Sequence, residues 1–152
     1  MTASEFVQVS CRHDWEFATL TLTRIRTGAD ITTSAYIQAR RELAQTRRTI
    51  GQVFQTVDAI ITPTTPIPPL AITEFSRDVS TSIEKATPAI RNTSPFDVYG
   101  WPTISIPCGF TGSGLPIGLQ VSGPVGGDAV VLRLAHAYEQ ATDWHARRPL
   151  AG

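Results

Sequence analysis

Side chains that could contact a ligand are concentrated in two short stretches of the sequence. In the first, Thr62, Thr64 and Thr65 lie among prolines directly after a short apolar run, and their hydroxyl groups can donate and accept hydrogen bonds. Proline fixes φ, so this loop would hold its hydroxyls on stiff backbone. Because open α/β sheets commonly place ligands at the carboxyl ends of strands, the loop is a candidate binding element. An ordinary Pro-rich connection is the alternative.

The second stretch is PFDVYGWP, residues 95–102. Asp97 could contact a substrate or bond backbone N–H groups two residues on in an Asx-turn. Tyr99 and Trp101 flank a glycine, and their rings could stack on a substrate or fill a core. These three side chains and the three threonines are the candidate substrate-binding residues, and the residues alone leave the alternatives open.

No residue shows the surroundings of a catalytic nucleophile. Ser113 lies between glycines but lacks the G-x-S-x-G spacing of a nucleophile elbow. Cys108 has no His or carboxylate near it in sequence, which favours a buried, inert thiol. Lys85, the only lysine, lies in a weakly patterned segment. We therefore expect no catalytic residue in this chain.

Neither a metal nor an organic cofactor is expected. His13 and His145 have no partners at metal-ligand spacing. The glycines at 112, 114 and 118 are one residue too widely spaced for the dinucleotide fingerprint. Thirteen basic and thirteen acidic residues cancel to a net charge of +0, so no global field favours nucleic acid or an anionic membrane as a partner. The two distant cysteines and the lack of an export signal favour the cytoplasm.

Periodicity predicts the elements that position these residues. An apolar stripe predicts a helix from Thr33 to Val57, with its arginines on the solvent side. The run Ala59–Ile61 is typical of a central strand covered on both faces. Two further strands around Thr103–Pro107 and Ile117–Val121, joined by a Gly/Pro turn, predict a β-hairpin, and a last helix runs from about Asp128 to Ala141. Helices and strands together indicate an α/β fold.

The stretch from Pro95 to Pro124, PFDVYGWPTISIPCGFTGSGLPIGLQVSGP, resembles the C-terminal segment of the amidase signature family. RIRTGADITTSAYIQARRELAQ from Arg24 and the TPTTP motif are similar to the same family, in which amidases and amidotransferase-type members both occur. The resemblance implies an α/β fold with a mixed, mostly parallel sheet flanked by helices. It divides the chain into an unassigned segment, 1–23, and a C-terminal portion of an amidase domain, 24–152. In the family the TPTTP loop borders the substrate channel.

Two hypotheses follow from the resemblance. Family members hydrolyse amides with a Ser, a second Ser and a Lys that lie upstream of these motifs. The first hypothesis is a C-terminal fragment of an amide hydrolase that cleaves carbon–nitrogen bonds other than peptide bonds, inactive alone and needing the missing N-terminal half. The alternative is a non-catalytic module that pairs with itself or another chain through an exposed sheet. An acidic residue that holds glutamine in amidotransferases has no counterpart at residues 89–91, which counts against glutamine as the substrate.

Overall fold

A three-stranded sheet and three longer helical segments form the part of the chain that the structure describes. The computed structural model describes residues 25–71, 73 and 84–148, and the predicted 1–23 segment lies outside these ranges. The elements are helix α1 (Thr33–Ile50), strand β1 (Ile60–Pro63), short helix α2 (Ser94–Tyr99), strands β2 (Thr103–Phe110) and β3 (Pro116–Ser122), and helix α3 (Asp128–Ala141). Single 3₁₀ turns lie at Gly51–Gln55, Thr87–Ile90 and Trp144–Ala146. This mixture of helix and strand confirms the predicted α/β class.

Helix α1 begins where the sequence offers a cap and ends earlier than the periodicity predicts. The Thr32 hydroxyl accepts a hydrogen bond of 3.2 Å from the Ala35 N–H, which satisfies one of the unpaired donors of the first turn. The α-helix stops at Ile50 instead of Val57 because Gly51 favours helix poorly, and the chain tightens there into the 3₁₀ turn.

The apolar stripe of α1 is only weakly covered. The helix contributes no fully buried residue. Tyr36 and Ile37, which lie on the stripe, are 58% and 45% exposed. Exposed apolar side chains of this size on one helix face mark a surface that another element can cover.

Strands β2 and β3 form the predicted hairpin. The turn closes with a hydrogen bond from the Thr111 N–H to the Leu115 carbonyl, and Gly114 adopts a φ of 83° within it. Pro107 pairs with Gly118 and Gly109 with Ile117, which leaves Cys108 as the extra residue of a β-bulge. The bulge lets the strand continue past Pro107, which has no N–H to donate.

The position of β1 differs from its predicted one. The strand order is β1-β3-β2 and both pairings are antiparallel. In the described residues β1 is therefore an outer strand rather than a central one, and Ile61 is 55% exposed. A continuous apolar run of three residues is compatible with either position. The antiparallel pairing follows for β2 and β3 from their short turn, since parallel strands need a long crossover.

One face of the sheet packs against α3 to form the core. Ile106 and Val121 from the strands meet Val131 and Ala135 from the helix, and each of the four is at most 3% exposed. The helix has the predicted bounds. A Cβ on Gly123 would lie 2.7 Å from Val131 Cγ2, so the missing side chain lets α3 approach the end of β3.

Candidate functional site

The face of the sheet turned away from α3 is polar and carries the candidate site. Gln120 of β3 pairs in register with Thr62 of β1 and with Ser105 of β2. Successive side chains of a strand point to opposite faces, so this row lies opposite Val121 and the core beneath α3. The predicted residue Thr62 is thereby brought beside two residues outside the predicted set.

Gln120 links two parts of the chain through its amide group. It is 1% exposed. Its Nε2 donates to Thr62 Oγ1 at 3.3 Å and to the backbone carbonyl of Asn92 at 3.0 Å. Asn92 in turn donates from Nδ2 to the carbonyl of Pro63 at 2.8 Å. The residues just before α2 are thus tied to the end of β1.

Thr64 and Ser105 form a pair of hydroxyl groups over β3. Their oxygens lie 2.5 Å apart, and either can be the donor. The residue between them is Gly118, where a Cβ would lie 2.6 Å from Thr64 Oγ1 and 2.8 Å from Ser105 Oγ. The Thr64 N–H also donates to the Gly118 carbonyl at 2.8 Å. The glycine therefore provides the space in which Thr64, the residue directly after β1, bonds to Ser105 of β2 across the central strand.

Thr65, the third predicted threonine, borders a different feature. It is exposed and lies at a mainly apolar groove of about 210 Å³ between the Pro-rich loop and the hairpin turn. The groove is lined by Thr65, Pro66, Ile67, Pro68, Pro69, Thr111, Pro116 and Ile117. The loop thus presents hydroxyls on the sheet face at Thr64 and apolar rings in the groove.

Asp97, Tyr99 and Trp101 lie at α2, apart from the threonines' contacts. Trp101 is 8% exposed, and its ring centroid lies 4.7 Å from that of Phe54 and 5.5 Å from that of Tyr99. Core filling accounts for this tryptophan. Asp97 is exposed within a short helix that has Pro95 in its first turn and ends at Gly100, with φ of 73°, so it lies in a helix rather than in the Asx-turn that was one of its two alternatives. Substrate contact by these residues stays a prediction.

Arg47 of α1 has a partner that the sequence did not indicate. Its Nε and Nη2 donate to the Val98 carbonyl at 2.9 and 2.6 Å. This carbonyl lies in the last turn of α2, where a cation interacts favourably with unpaired helix carbonyls. Arg47 therefore holds α2 against α1, in contrast to the purely solvated role expected of the arginines.

The arrangement can bind a polar group but does not activate a nucleophile at the hydroxyl pair. Thr64 and Ser105 bond to each other, whereas activation of a hydroxyl needs a base in reach. Burial raises the pKa of the Cys108 thiol, which disfavours the thiolate. Within residues 25–71, 73 and 84–148, no three His, Cys, Asp or Glu residues cluster as metal ligands would. No helix in the same ranges is long and apolar enough to cross a membrane.

Sequence reasoning missed Gln120, Ser105, Asn92 and Gly118 at this site. The available signal was the polar residue between Leu119 and Val121 in a strand, which alternation assigns to the face opposite the core. Its partners come from segments 28 and 58 residues away, and no local pattern identifies them.

Comparisons with known proteins agree with these motifs. A sequence profile described as Amidase matches residues 10–132, and this match begins before Arg24. The chain is 35% identical over 130 residues to a protein named as an amidase, AmiA2, of Mycobacterium tuberculosis (strain ATCC 25618 / H37Rv), which covers 85% of this chain and 27% of the relative. It is 40% identical over 132 residues to a glutamyl-tRNA(Gln) amidotransferase subunit of Geobacillus stearothermophilus, covering 84% of this chain and 26% of that protein.

A solved structure shows the same fold. The crystal structure of an amidase superposes with a TM-score of 0.74 at 28% identity, covering 91% of this chain and 32% of that one. The chain thus spans about a quarter of the length of the relatives it matches. With a family profile that covers most of its residues, the chain belongs to the amidase family.

Proposed function

We propose that this chain is the C-terminal part of an amide hydrolase and forms one wall of its substrate channel. The catalytic Ser-Ser-Lys set would come from a segment outside these 152 residues, on the same polypeptide or on another. The observation that carries the proposal is the partial match to amidases, which covers 27% of the length of the mycobacterial relative. The reaction is hydrolysis of a carbon–nitrogen bond in a small amide rather than in a peptide chain, and we place it in the cytoplasm.

The polar face supplies suitable contacts for an amide. Thr62, Thr64 and Ser105 carry hydroxyls that can donate to an amide oxygen or accept from an amide N–H. The adjacent groove is mainly apolar, and ligand sites commonly combine an apolar lining with a few placed polar groups. Because Thr64 and Ser105 already share one hydrogen bond, the pair keeps one hydroxyl hydrogen to offer to a ligand.

The partner in this proposal is the rest of an amidase domain. Val57 and Ile61 are 41% and 55% exposed, and with Leu134 of α3 they border a broad apolar groove next to β1. The exposed stripe of α1 adds a second apolar surface. Both surfaces resemble the inside of a domain more than the outside of one, which supports a covering segment.

A second candidate is a non-catalytic module that pairs with its own copy through the outer edge of β1. The Thr64 N–H points to β3, so alternation along an antiparallel ladder turns the N–H and carbonyl of Ile61 away from β3. An outward-facing N–H and carbonyl on an exposed strand can template another strand. This observation favours association of the chain with a second strand and says nothing about a catalytic role.

Complementation tests both candidates. The 152-residue chain would be assayed on a panel of small primary amides alone, and after co-expression with the mycobacterial relative's segment that precedes the matched region. We expect turnover only when both pieces are present. A matched control uses the same segment with its catalytic serine replaced by alanine, which should restore no activity.

The outcomes separate the hypotheses. Turnover by the chain alone, above a mock preparation, would overturn the proposal that catalysis needs an outside segment. A stable complex of the two pieces without turnover would overturn the assigned activity. Light scattering during size-exclusion chromatography measures the oligomeric state of the isolated chain and so tests the alternative. A discrete dimer supports the self-pairing module, and a monomer contradicts it.

A further inference from the structure

We infer that Gln120 and Asn92 are positioning residues that clamp the end of β1, and with it the threonine hydroxyls, to the segment before α2. Gln120 is almost completely buried, and its amide nitrogen carries two N–H groups. Its contacts with Thr62 Oγ1 and with the Asn92 carbonyl provide one acceptor for each of them. The side chain therefore joins β1, β3 and the 91–93 turn at one point.

Asn92 supplies the second point of the clamp. Its side chain donates to the Pro63 carbonyl at 2.8 Å, while its own carbonyl accepts from Gln120. By the alternation described above, the Pro63 carbonyl points away from β3, toward the place where a further strand would pair. Asn92 occupies that position instead. Pro63 offers no N–H there, so regular pairing on this edge cannot extend past Ile61.

The clamp affects the positions of the threonine hydroxyls because Pro63 lies between Thr62 and Thr64. Thr62 is fixed by Gln120, and Thr64 is fixed by the Gly118 carbonyl and by Ser105. Holding the Pro63 carbonyl therefore sets the direction in which the chain leaves β1 and enters the TPTTP loop. Positions held this way are what a preorganised binding site needs. The consequence for a substrate rests on the proposed function, whereas the clamp itself does not.

The alternative is that Gln120 only satisfies buried polar atoms of the sheet. The two roles differ in which residues lose stability when the hydrogen bonds of Gln120 are removed. A clamp predicts local loosening of residues 91–93, with the β2–β3 ladder unchanged. A purely structural role predicts that loss of the amide weakens the sheet as a whole.

Nuclear magnetic resonance of the full 152-residue chain tests this difference. In Gln120→Met, which keeps the side chain's length but removes both donors, hydrogen-exchange protection at 91–93 should fall by roughly 3- to 10-fold, the equivalent of about one hydrogen bond. The amides to follow are those of Arg91 and Thr93, which donate to the carbonyls of Pro88 and Ile90. The side-chain NH₂ resonances of Asn92 should shift as well. The matched control is Ser122→Ala, since Ser122 is buried on the same face but bonds Thr103, and it should leave residues 91–93 unchanged.

A charge variant gives a second spectroscopic readout. In Gln120→Glu, burial raises the pKa of the introduced carboxyl, and its two neighbours are the uncharged Thr62 hydroxyl and Asn92 carbonyl. At low pH the neutral acid can still donate one O–H, so protection at 91–93 is partly kept. As the pH rises through that raised pKa, the Thr62 hydroxyl can turn to donate to the carboxylate, but the Asn92 carbonyl is left facing a negative oxygen. Protection at 91–93 is then lost, whereas Gln120→Met shows no such pH dependence.

Two results would overturn the inference. One is unchanged protection at 91–93 in Gln120→Met, and the other is an equal loss across the whole β2–β3 ladder. If Gln120→Met does not fold, Asn92→Asp replaces it, because this partly exposed residue keeps its shape while losing the Nδ2 donor. Protection at residues 91–93 should then fall, and an unchanged value refutes the clamp. Failure of the amidase complementation would leave these results unaffected.

Discussion

On one face of the sheet, Ile106 and Val121 pack beneath α3. One residue earlier on the same two strands, on the other face, Ser105 and Gln120 make hydrogen bonds to Thr64, Thr62 and the Asn92 backbone. The apolar face is closed by a helix of this chain. The polar face ties together segments that lie far apart in the sequence.

The contrast shows how three short strands can separate stability from positioning. Apolar contacts on the core face depend on area and tolerate no loss of volume. Hydrogen bonds on the other face contribute little net stability each, because unfolding returns the same groups to water. These hydrogen bonds instead fix the direction in which the loop after β1 leaves the strand. Substitutions of comparable size should therefore be costly on one face and mild on the other.

The largest expected effect comes from Ile106→Ala on the core face. Ile106 is 3% exposed, and truncation of a buried isoleucine should lower the free energy of unfolding by about 2–5 kcal/mol. Its neighbour in the same strand provides the control, since Ser105→Ala should cost about 1 kcal/mol or less. Urea unfolding of both variants measures the difference. Equal losses at the two positions would break the comparison between the faces.

Gly123→Ala should come next, and it also reports on the core face. The added methyl group would lie 2.7 Å from Val131 Cγ2 and push α3 away, at a cost of about 1–3 kcal/mol. In a Val131→Ala background the clash is absent, so the same glycine substitution should cost less. A double-mutant cycle by urea unfolding gives the coupling. Additive losses would show that Gly123 does not set the approach of α3.

Gly118→Ala is the counterpart on the polar face and should cost less, about 1–2 kcal/mol. The new methyl group would displace the hydroxyls of Thr64 and Ser105, which can rotate away, and would lie 3.1 Å from Thr64 Cβ, a milder contact than the 2.7 Å to Val131 Cγ2 in the core. The clash should shrink in a Thr64→Ala background. We expect the coupling energy between Gly118 and Thr64 to be smaller than that between Gly123 and Val131. A larger coupling energy would contradict the difference between the two faces.

The sequence predicted what depends on local pattern and failed where distant segments meet. The β2–β3 hairpin and the bounds of α3 follow from alternation, glycine turns and helical periodicity, and the structure confirms them. The threonine loop was identified from its composition. Its hydroxyl partners, and the link from Asn92 to Pro63, depend on contacts between segments far apart in the chain. Within the residues that the structure describes, β1 is an outer strand, which the sequence did not indicate because an apolar run of three residues cannot show which of its edges is paired.

The smallest effect on folding should come from Ile61→Pro, and it tests the edge where the two faces end. The Ile61 N–H points away from β3, so its removal costs no bond of the β1–β3 ladder, and proline is tolerated at such edge positions. Because Ile61 is 55% exposed, loss of its side chain adds a small cost, and we expect a change in unfolding free energy of about 1 kcal/mol or less. The same substitution should abolish strand pairing at this edge, so complementation by an amidase segment should fall only if that segment pairs with β1 in addition to covering the apolar groove beside Ile61. Ile61→Ala is the control, because it keeps the N–H while removing the exposed side chain. If Ile61→Pro complements as well as Ile61→Ala does, the covering segment binds through side chains on the core side of the sheet, and strand pairing at β1 has no part in it.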